Sequence, residues 1–519
     1  MNRLTAAWRL LTRGLPAAAA PTHRRTRTGA YAAADNNRLT QDWLPTGLTA
    51  DDEIRYSLWK IRNRTRDMER NNPLVKQFLR LLSVNVIGPD GIKLQSDITN
   101  NNDQANEAFR TKIEAAWALW SEQPTRDGRG DLSNFQRLAI KTVARDGEAF
   151  VRIYRSFPRN PFGFALELID PDLIDETMNT TVDGSGREIR LGVEVDSDNR
   201  PVAYHGWNKP ARLTMGTARQ RVSYPADEII HLYDPDRVNQ TRGVSWMTSI
   251  MMSMRHASAY SEAELVAART GASKMGFFQK RPDTPGGLVE DDNNPGVFTT
   301  NADPGTFGII PEGYEFAQFA PSHPSTAFES FMKAQHRAIA TGLGVSYNGL
   351  ASDLEGVNYS SIRAGLLVER DMWRTLQEWW IASFLRPVFR EWLNMALLTK
   401  AVTLDSRDAR KFLAARWIPR GWAWVDPLKD TQAGILAIGA GLASRTSLLA
   451  EQGMDFEDVV ADIAEEDADA KEAGIDISID KGPAAQKATV AGEEGGGGAP
   501  GATRNGHAHS RITFTTEDR

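Results

Sequence analysis

The residues closest to a chemical constellation are the carboxylates of LIDPDLIDE, residues 168–176, where Asp170, Asp172 and Asp175 sit close together. Carboxylates this near one another could act as a general acid–base pair or hold a divalent cation. The same residues follow a strand-like run, and Asp commonly caps a turn, so a capped turn is the favoured reading. DPDR at 234–237 is read the same way. His205, His231, His256, His323 and His336 are scattered, and none has the i,i+4 partner of a helical metal pair. They are read as packed or solvated histidines. There is no cysteine, which excludes disulfides, thiolate metal sites and a cysteine nucleophile. No GxxxxGK(S/T), GxSxG or HExxH is present, nor GxGxxG in a strand–helix setting, so no nucleotide-driven motor is expected inside this chain. Neither a cofactor nor a metal is expected.

Two clusters of soft or aromatic side chains invite a binding role. Met247, Met251, Met252 and Met254 could form a partner groove, and Trp373, Trp379, Trp380 and Trp392 could stack bases. Both clusters lie in strongly helical stretches with apolar neighbours at three- and four-residue steps, which favours core packing.

The elements that would position such groups are legible in outline. Residues 51–86 read as helix, with Asp51 and Asp52 at its start and a new helix beginning at Pro73. Another helix is expected over 103–120. Residues 148–233 carry short β-branched and aromatic runs (EAFVRIY, FALELID, RLGVEVD, PVAYHGW, EIIHLY) separated by the turn signals DGSG and SDNRP, which indicates an antiparallel β-rich unit. Residues 243–272 read as one helix with Gly271 as its stop. A small insert, 273–320, holds MGFFQK, GTFGII and YEFAQFA around a Pro/Gly-rich middle. A helix returns over 323–342, with Thr326 and Glu329 at capping-box spacing and Gly342 as its stop. After LGVSYNGLASDLEGVNYSSIRAG, residues 343–365, a helix runs over 361–398 with a kink expected at Pro387. Further helices are expected at 427–442 and 447–466. Helices first, then a β-rich unit, then helices again make an α+β protein.

The chain has 519 residues and a formal net charge of −6, so no global basic footprint for nucleic acid exists. The ends are asymmetric. Residues 1–40 carry seven Arg and one Asp, and residues 451–519 carry six Lys or Arg against sixteen Asp or Glu. Such ends read as solvated or partner-binding tails. The start resembles a signal peptide, but Arg9 and Arg13 interrupt its apolar part. The apolar run AGILAIGAGLA, 433–443, is too short to span a bilayer, and no membrane association is expected.

Read in order, GEAFVRIYR (147–155), LIDPDLIDE (168–176), GVEVDSDNRPVAYH (192–205), DEIIHLYDPDRVNQTRGVSWM (227–247), LGVSYNGLASDLEGVNYSSIRAG (343–365) and FLRPVFREWL (384–393) resemble the lambda-type portal proteins of tailed bacteriophages. The likeness extends over roughly residues 50–465, and the GVSY…DLEGVNYSSIRAG block is its most specific part.

The resemblance implies a ring-forming, non-enzymatic subunit with mainly helical wing, stem and crown, a β-rich wing unit and a small β-containing clip. It implies a basic N-terminal arm over 1–48, a wing over 49–242, stem helices over 243–272 and 321–342, and a clip over 273–320. A tunnel loop would occupy 343–362, a long helix returning to the wing 363–425, crown-side helices 426–474 and a disordered acidic, Gly-rich tail 475–519. The expected assembly is a dodecamer at one capsid vertex of the virion, built in the host cytoplasm. It would pass double-stranded DNA, dock terminase, and contact capsid or scaffold proteins and head-completion adaptors. The residues assigned to the DNA channel are Asn358, Tyr359, Ser360, Ser361 and Arg363. Ser and Asn also suit helix starts, so some of these could serve as caps instead. Two other classes stay open: a ring-forming adaptor or baseplate protein, and a DNA-acting enzyme whose carboxylates would have to be Asp170, Asp172 and Asp175.

Overall fold

The computed structural model describes residues 47–97, 103–182, 184, 186–210, 219–272, 276–280, 314–318, 327–356, 358–403, 412–422 and 427–473. The chain divides into two units, Met1–Asp455 and Phe456–Arg519. The architecture is α+β, with long helices and several small antiparallel sheets.

The first helices are set by their caps. The Thr49 hydroxyl accepts from the Asp52 amide to open α1 (Ala50–Arg55), whose first turn carries Asp51, Asp52 and Glu53 where the helix dipole favours negative charge. The helical stretch expected over 51–86 breaks at Tyr56 and Ser57, which the sequence does not announce, and restarts at Pro73 as expected. α2 (Leu58–Asn71) is separated from α3 (Pro73–Leu82) by Asn72, whose side chain caps α3 while Pro73 stands at its first position. The turn Ser83–Ile87 widens to a π-helix. β1 (Lys93–Ser96), α4 (Asp103–Ser121) and α5 (Leu132–Asp146) follow.

α5 ends at Gly147, in the left-handed region at φ 95°. A Cβ there would lie 2.5 Å from the carbonyl carbon of Val244, so only glycine lets the two backbones meet. The chain then enters β2 (Glu148–Arg155), β3 (Phe164–Ile169), β4 (Thr180–Val182), β5 (Arg187–Arg190), β6 (Val193–Val195), β7 (Pro201–Trp207), β8 (Arg221–Pro225) and β9 (Ile229–Tyr233). β2 is the centre of a three-stranded sheet, with Val151 opposite Leu168 of β3 and Ile230 of β9. β4 to β8 form a five-stranded antiparallel meander. The β-rich unit expected from the turn signals is present.

The helix expected over 243–272 starts later, as α6 (Met251–Ala272). Residues 243–247 are held to the end of α5. The Ser245 hydroxyl donates to the Ala144 carbonyl, and Gly243 passes so close to Gly147 that a Cβ would meet its oxygen at 2.1 Å. In the following insert, β10 (Gly276–Lys280) and β11 (Tyr314–Gln318) pair antiparallel, Phe278 opposite Phe316. GTFGII and Thr326 lie outside the described residues.

α7 (Phe328–Leu343) runs past Gly342 and stops at Gly344, at φ 69°. Gly342 has a packing role instead, since a Cβ there would sit 2.3 Å from Cγ2 of Ile250. Next come α8 (Tyr347–Ala351), α9 (Tyr359–Trp380), a π-helical turn Ile381–Leu385 and α10 (Arg386–Leu398). Pro387 lacks the amide that would bond back into the preceding turn, and the widened turn accommodates that loss. β12 (Ala415–Ile418) pairs with β1. α11 (Pro427–Gly439) and α12 (Arg445–Glu451) complete the first unit. The helix expected over 447–466 breaks after Glu451, where Gly453 takes the left-handed region at φ 79°; a Cβ on Gly421 would fall 1.9 Å from the Gln452 carbonyl carbon, so the two segments pack closely. The second unit contributes α13 (Phe456–Ala473).

One large core joins the helices to the three-stranded sheet. At its centre the Trp117 ring meets Trp120, Phe389, Trp392 and Trp417 at centroid separations of 4.8–5.8 Å. Trp373, Trp380 and Trp392 are buried, as are Met247, Met251 and Met254, while Met252 is exposed. The tryptophans and most of the methionines are therefore packing groups.

Candidate functional site

The segment between α7 and α9 is less of a loop than its composition suggests. Ser346 caps α8 by accepting from the Gly349 amide at 3.1 Å. Val345 and Leu350 are buried, so the first half of the segment belongs to the core. Residues 352–356 carry the exposed part, entered at Ser352 (φ 54°) and left beside Gly356 (φ 68°), where an added Cβ would meet nothing within 4 Å.

A set of polar contacts ties this exposed turn to α7. The Tyr347 hydroxyl donates to Asp353 Oδ2 at 2.6 Å, and Asp353 Oδ1 accepts from the Glu355 amide at 2.9 Å. The hydrogen bond from Tyr347 holds the Asp353 carboxyl below its ordinary range, and the same bond raises the Tyr347 phenol. Lys333 on α7 reaches Glu329 at 2.7 Å and Glu355 at 2.6 Å. These two carboxylates raise the Lys333 ammonium above its ordinary value. Arg337, one turn further along α7, lies over the Tyr347 ring.

The five residues assigned to a channel are placed as follows. Asn358 is exposed and precedes α9, where its carbonyl accepts from the Ile362 amide at 3.1 Å. Tyr359, Ser360 and Ser361 form the first turn of α9. Their side chains lie outside the described residues. Arg363 is in the helix itself, and its guanidinium donates to Asp430 of α11 at 2.9 Å. The helix therefore begins at Tyr359, before the start expected at residue 361, because the short polar run serves as its first turn.

The aspartates that could have made an acid–base or cation site are instead engaged by arginines. Asp170 caps a short 3-10 turn, accepting from the Asp172 amide. Asp172 is bound by Arg62 at 2.9 Å and by Arg66, and Asp175 by Arg221 at 3.1 Å. Behind them lies a buried ionic cluster that the sequence did not announce. Glu148, at the start of β2, receives Arg62 and Arg242, each with contacts at 2.9 Å or shorter, and His231 Nε2 lies 2.9 Å from its second oxygen. Burial opposes ionisation of Glu148, but Arg242, His231 and Arg62 outweigh it and hold the carboxyl well below the ordinary range. Burial pushes His231 the other way from its carboxylate partner and leaves it below its ordinary value, as the neutral ring. Arg62 and Arg242 fix the Glu148 carboxylate from two sides, which suits a structural clamp, while Glu176, 3.4 Å from Arg62 at the edge of the cluster, is raised by burial.

A family model described as phage portal protein, lambda family, matches residues 36–377. A probable portal protein of Halomonas phage phiHAP-1 is 35% identical over 491 residues, covering 92% of this chain and 93% of the relative. Portal protein B of Escherichia phage lambda is 22% identical over 486 residues, covering 84% of this chain and 88% of the relative. Among solved structures, the neck of a native gene transfer agent particle, computed with C12 symmetry, aligns at a TM-score of 0.40 and 15% identity, covering 75% of this chain and 93% of that one.

Proposed function

The chain belongs to the lambda family of phage portal proteins, and from that membership we propose that it forms the portal ring through which double-stranded DNA enters and leaves a capsid. The observation that carries this reading is likeness along nearly the whole chain to a relative named as a portal protein, rather than any single motif. Ring assembly within a capsid and a place at the virion vertex follow from the family.

The finer assignments are ours. The ring is a dodecamer assembled in the host cytoplasm. α6 and α7 serve as stem helices, the β10–β11 insert as the clip, and the turn at 352–358 with the start of α9 as the channel-facing element. Terminase docks on the clip during packaging, head-completion proteins follow it, and capsid or scaffold proteins surround the wing. Electrostatics supports a sliding contact. Tight DNA binding needs many cations that neutralise phosphates. Beside this turn, Lys333 and Arg363 are tied to carboxylates and Arg337 stacks on Tyr347, so passing phosphates meet little uncommitted charge. The chain acts as a structural protein and not as an enzyme, which fits the arginine-saturated aspartates.

The test is packaging into proheads reconstituted with the purified chain and a terminase. Asn358→Ala should leave rings intact and shorten the packaged DNA. Metal-dependent cleavage of DNA by the purified chain alone would overturn the reading in favour of an enzyme.

A further inference from the structure

We infer that the apolar face shared by α9 and α11 is the seat of a second copy of this chain, the neighbouring subunit of the ring. This inference rests on the ring reading above and adds the surface that closes it.

Residues 364–368 of α9, Ala-Gly-Leu-Leu-Val, are all exposed. Five consecutive residues exceed one helical turn of ~3.6 residues, so exposure runs around this turn, least at Leu366, which is 37% exposed and faces a cleft shared with Leu81 and Trp422. Its side chains are nevertheless apolar, with Val368 73% exposed. α11 repeats the pattern. Its only buried residue is Gly434, which packs toward Leu448 of α12. Leu428, Ile435 and Leu436 are exposed on it, and Leu442, just beyond its end, is 84% exposed. From Ala433 to Gly439 α11 carries no polar side chain, and a helical stretch that is apolar all round belongs inside something.

The two helices present one surface. Leu367, Arg370 and Arg374 of α9 and Ala433, Gly434 and Ala437 of α11 line the same cleft of about 350 Å³. The Arg363–Asp430 pair pins the helices together at 2.9 Å. Seven Leu, Ile and Val side chains are exposed across the two helices and the residues just beyond α11, and exposed apolar clusters of this kind mark interaction surfaces. Arg374, which pairs with Asp371 at 3.5 Å along α9, brings charge to this surface, as interfaces with an apolar centre carry polar groups beside it.

The occupant follows from symmetry. A closed ring is built from head-to-tail contacts, in which each subunit needs two different apolar faces. α9–α11 supplies one. Met252, Leu265 and Val266, exposed along α6, supply a candidate for the other. A bilayer is a poor alternative, because α11 has 13 residues and about 20 are needed to cross one. Among the described residues no helix is long and apolar enough to do so.

The absence of cysteine makes the test direct. Val368→Cys, Leu436→Cys and, as an exposed control, Glu122→Cys are labelled with a maleimide in purified rings. The first two should react roughly tenfold more slowly than the control, since labelling then waits on opening of the contact. Leu436→Asp should reduce the ring fraction while the unassembled chain keeps its helical circular dichroism. Equal labelling rates, with rings still formed by Leu436→Asp, would overturn the inference and leave the ring reading standing. Protection that appears only after capsid proteins are added assigns the face to another partner and also overturns it. Failure of the unsubstituted chain to form rings at all would instead count against the ring reading itself.

Discussion

Arg242 Nη2 lies 2.6 Å from Oε1 of Glu148, and neither side chain is exposed to solvent. The pair joins the end of the β-rich unit to the first residue of its central strand, and Arg62 of α2 closes on the same carboxylate. Breaking a buried pair from one side strands its partner's charge. Glu148→Gln leaves two buried guanidinium groups without their shared counter-charge, and a loss of about 3–5 kcal/mol is expected. Urea unfolding of the unassembled variant reads this as a lower midpoint. An unchanged midpoint would mean that the cluster does not hold the unit together.

The same cluster sets an acid sensitivity. His231 titrates below its ordinary value of 6.5 because it is buried, so the folded form keeps it neutral. Unfolding takes up a proton once the pH drops below about 6.5, and stability present above that pH is lost as the pH falls toward the folded value. Glu148, whose folded pKa is depressed, adds to the loss from its ordinary 4.5 downward. His231→Gln keeps an N–H donor for Glu148 and removes the titration. Its thermal midpoint should change less between pH 6.5 and 5 than that of the parent chain. Parallel curves would contradict this.

Gly147 is required twice over, by its φ of 95° and by the contact with Val244. Gly147→Ala must move either the end of α5 or the 243–247 segment, and a loss of more than ~1 kcal/mol is expected. Gly128, also at positive φ but with nothing within 4 Å, is the control. Gly128→Ala should lose less, and a reversed order in unfolding midpoints would refute the packing argument.

Lys333 governs mobility rather than stability. Its contacts with Glu329 and Glu355 are at the surface, where ion pairs add little to folding. Lys333→Ala should leave the melting temperature unchanged while amide exchange rises within 352–358. Unchanged exchange there would show that α8 and Tyr347 alone hold the turn.

How much of this was legible in the sequence differs by region, for physical reasons. The β-rich unit was readable because its turns carry Gly, Asp and Asn between β-branched runs. The start at Pro73 was readable because proline is suited to a first helical position. The helix ends were harder. Gly342 and Gly344 look alike in sequence, and only the approach of Ile250 separates a packing glycine from a stop. The short helix at Tyr347–Ala351 was hidden by its Gly and Asn content, and its cap, Ser346, was read as loop. The buried cluster could not have been found. Arg62, Glu148 and Arg242 are far apart in the chain, and nothing local marks any of them as buried. The aspartates of LIDPDLIDE were visible as a group, but the arginines that bind Asp170 and Asp172 come from α2.

The most direct test is electron microscopy of the purified chain with mass photometry on the same sample. The account predicts closed rings with an open centre wide enough for duplex DNA, and with the 352–358 turn on the channel wall. A chain that stays monomeric at high concentration and across salt conditions, with no rings in any field, would contradict it.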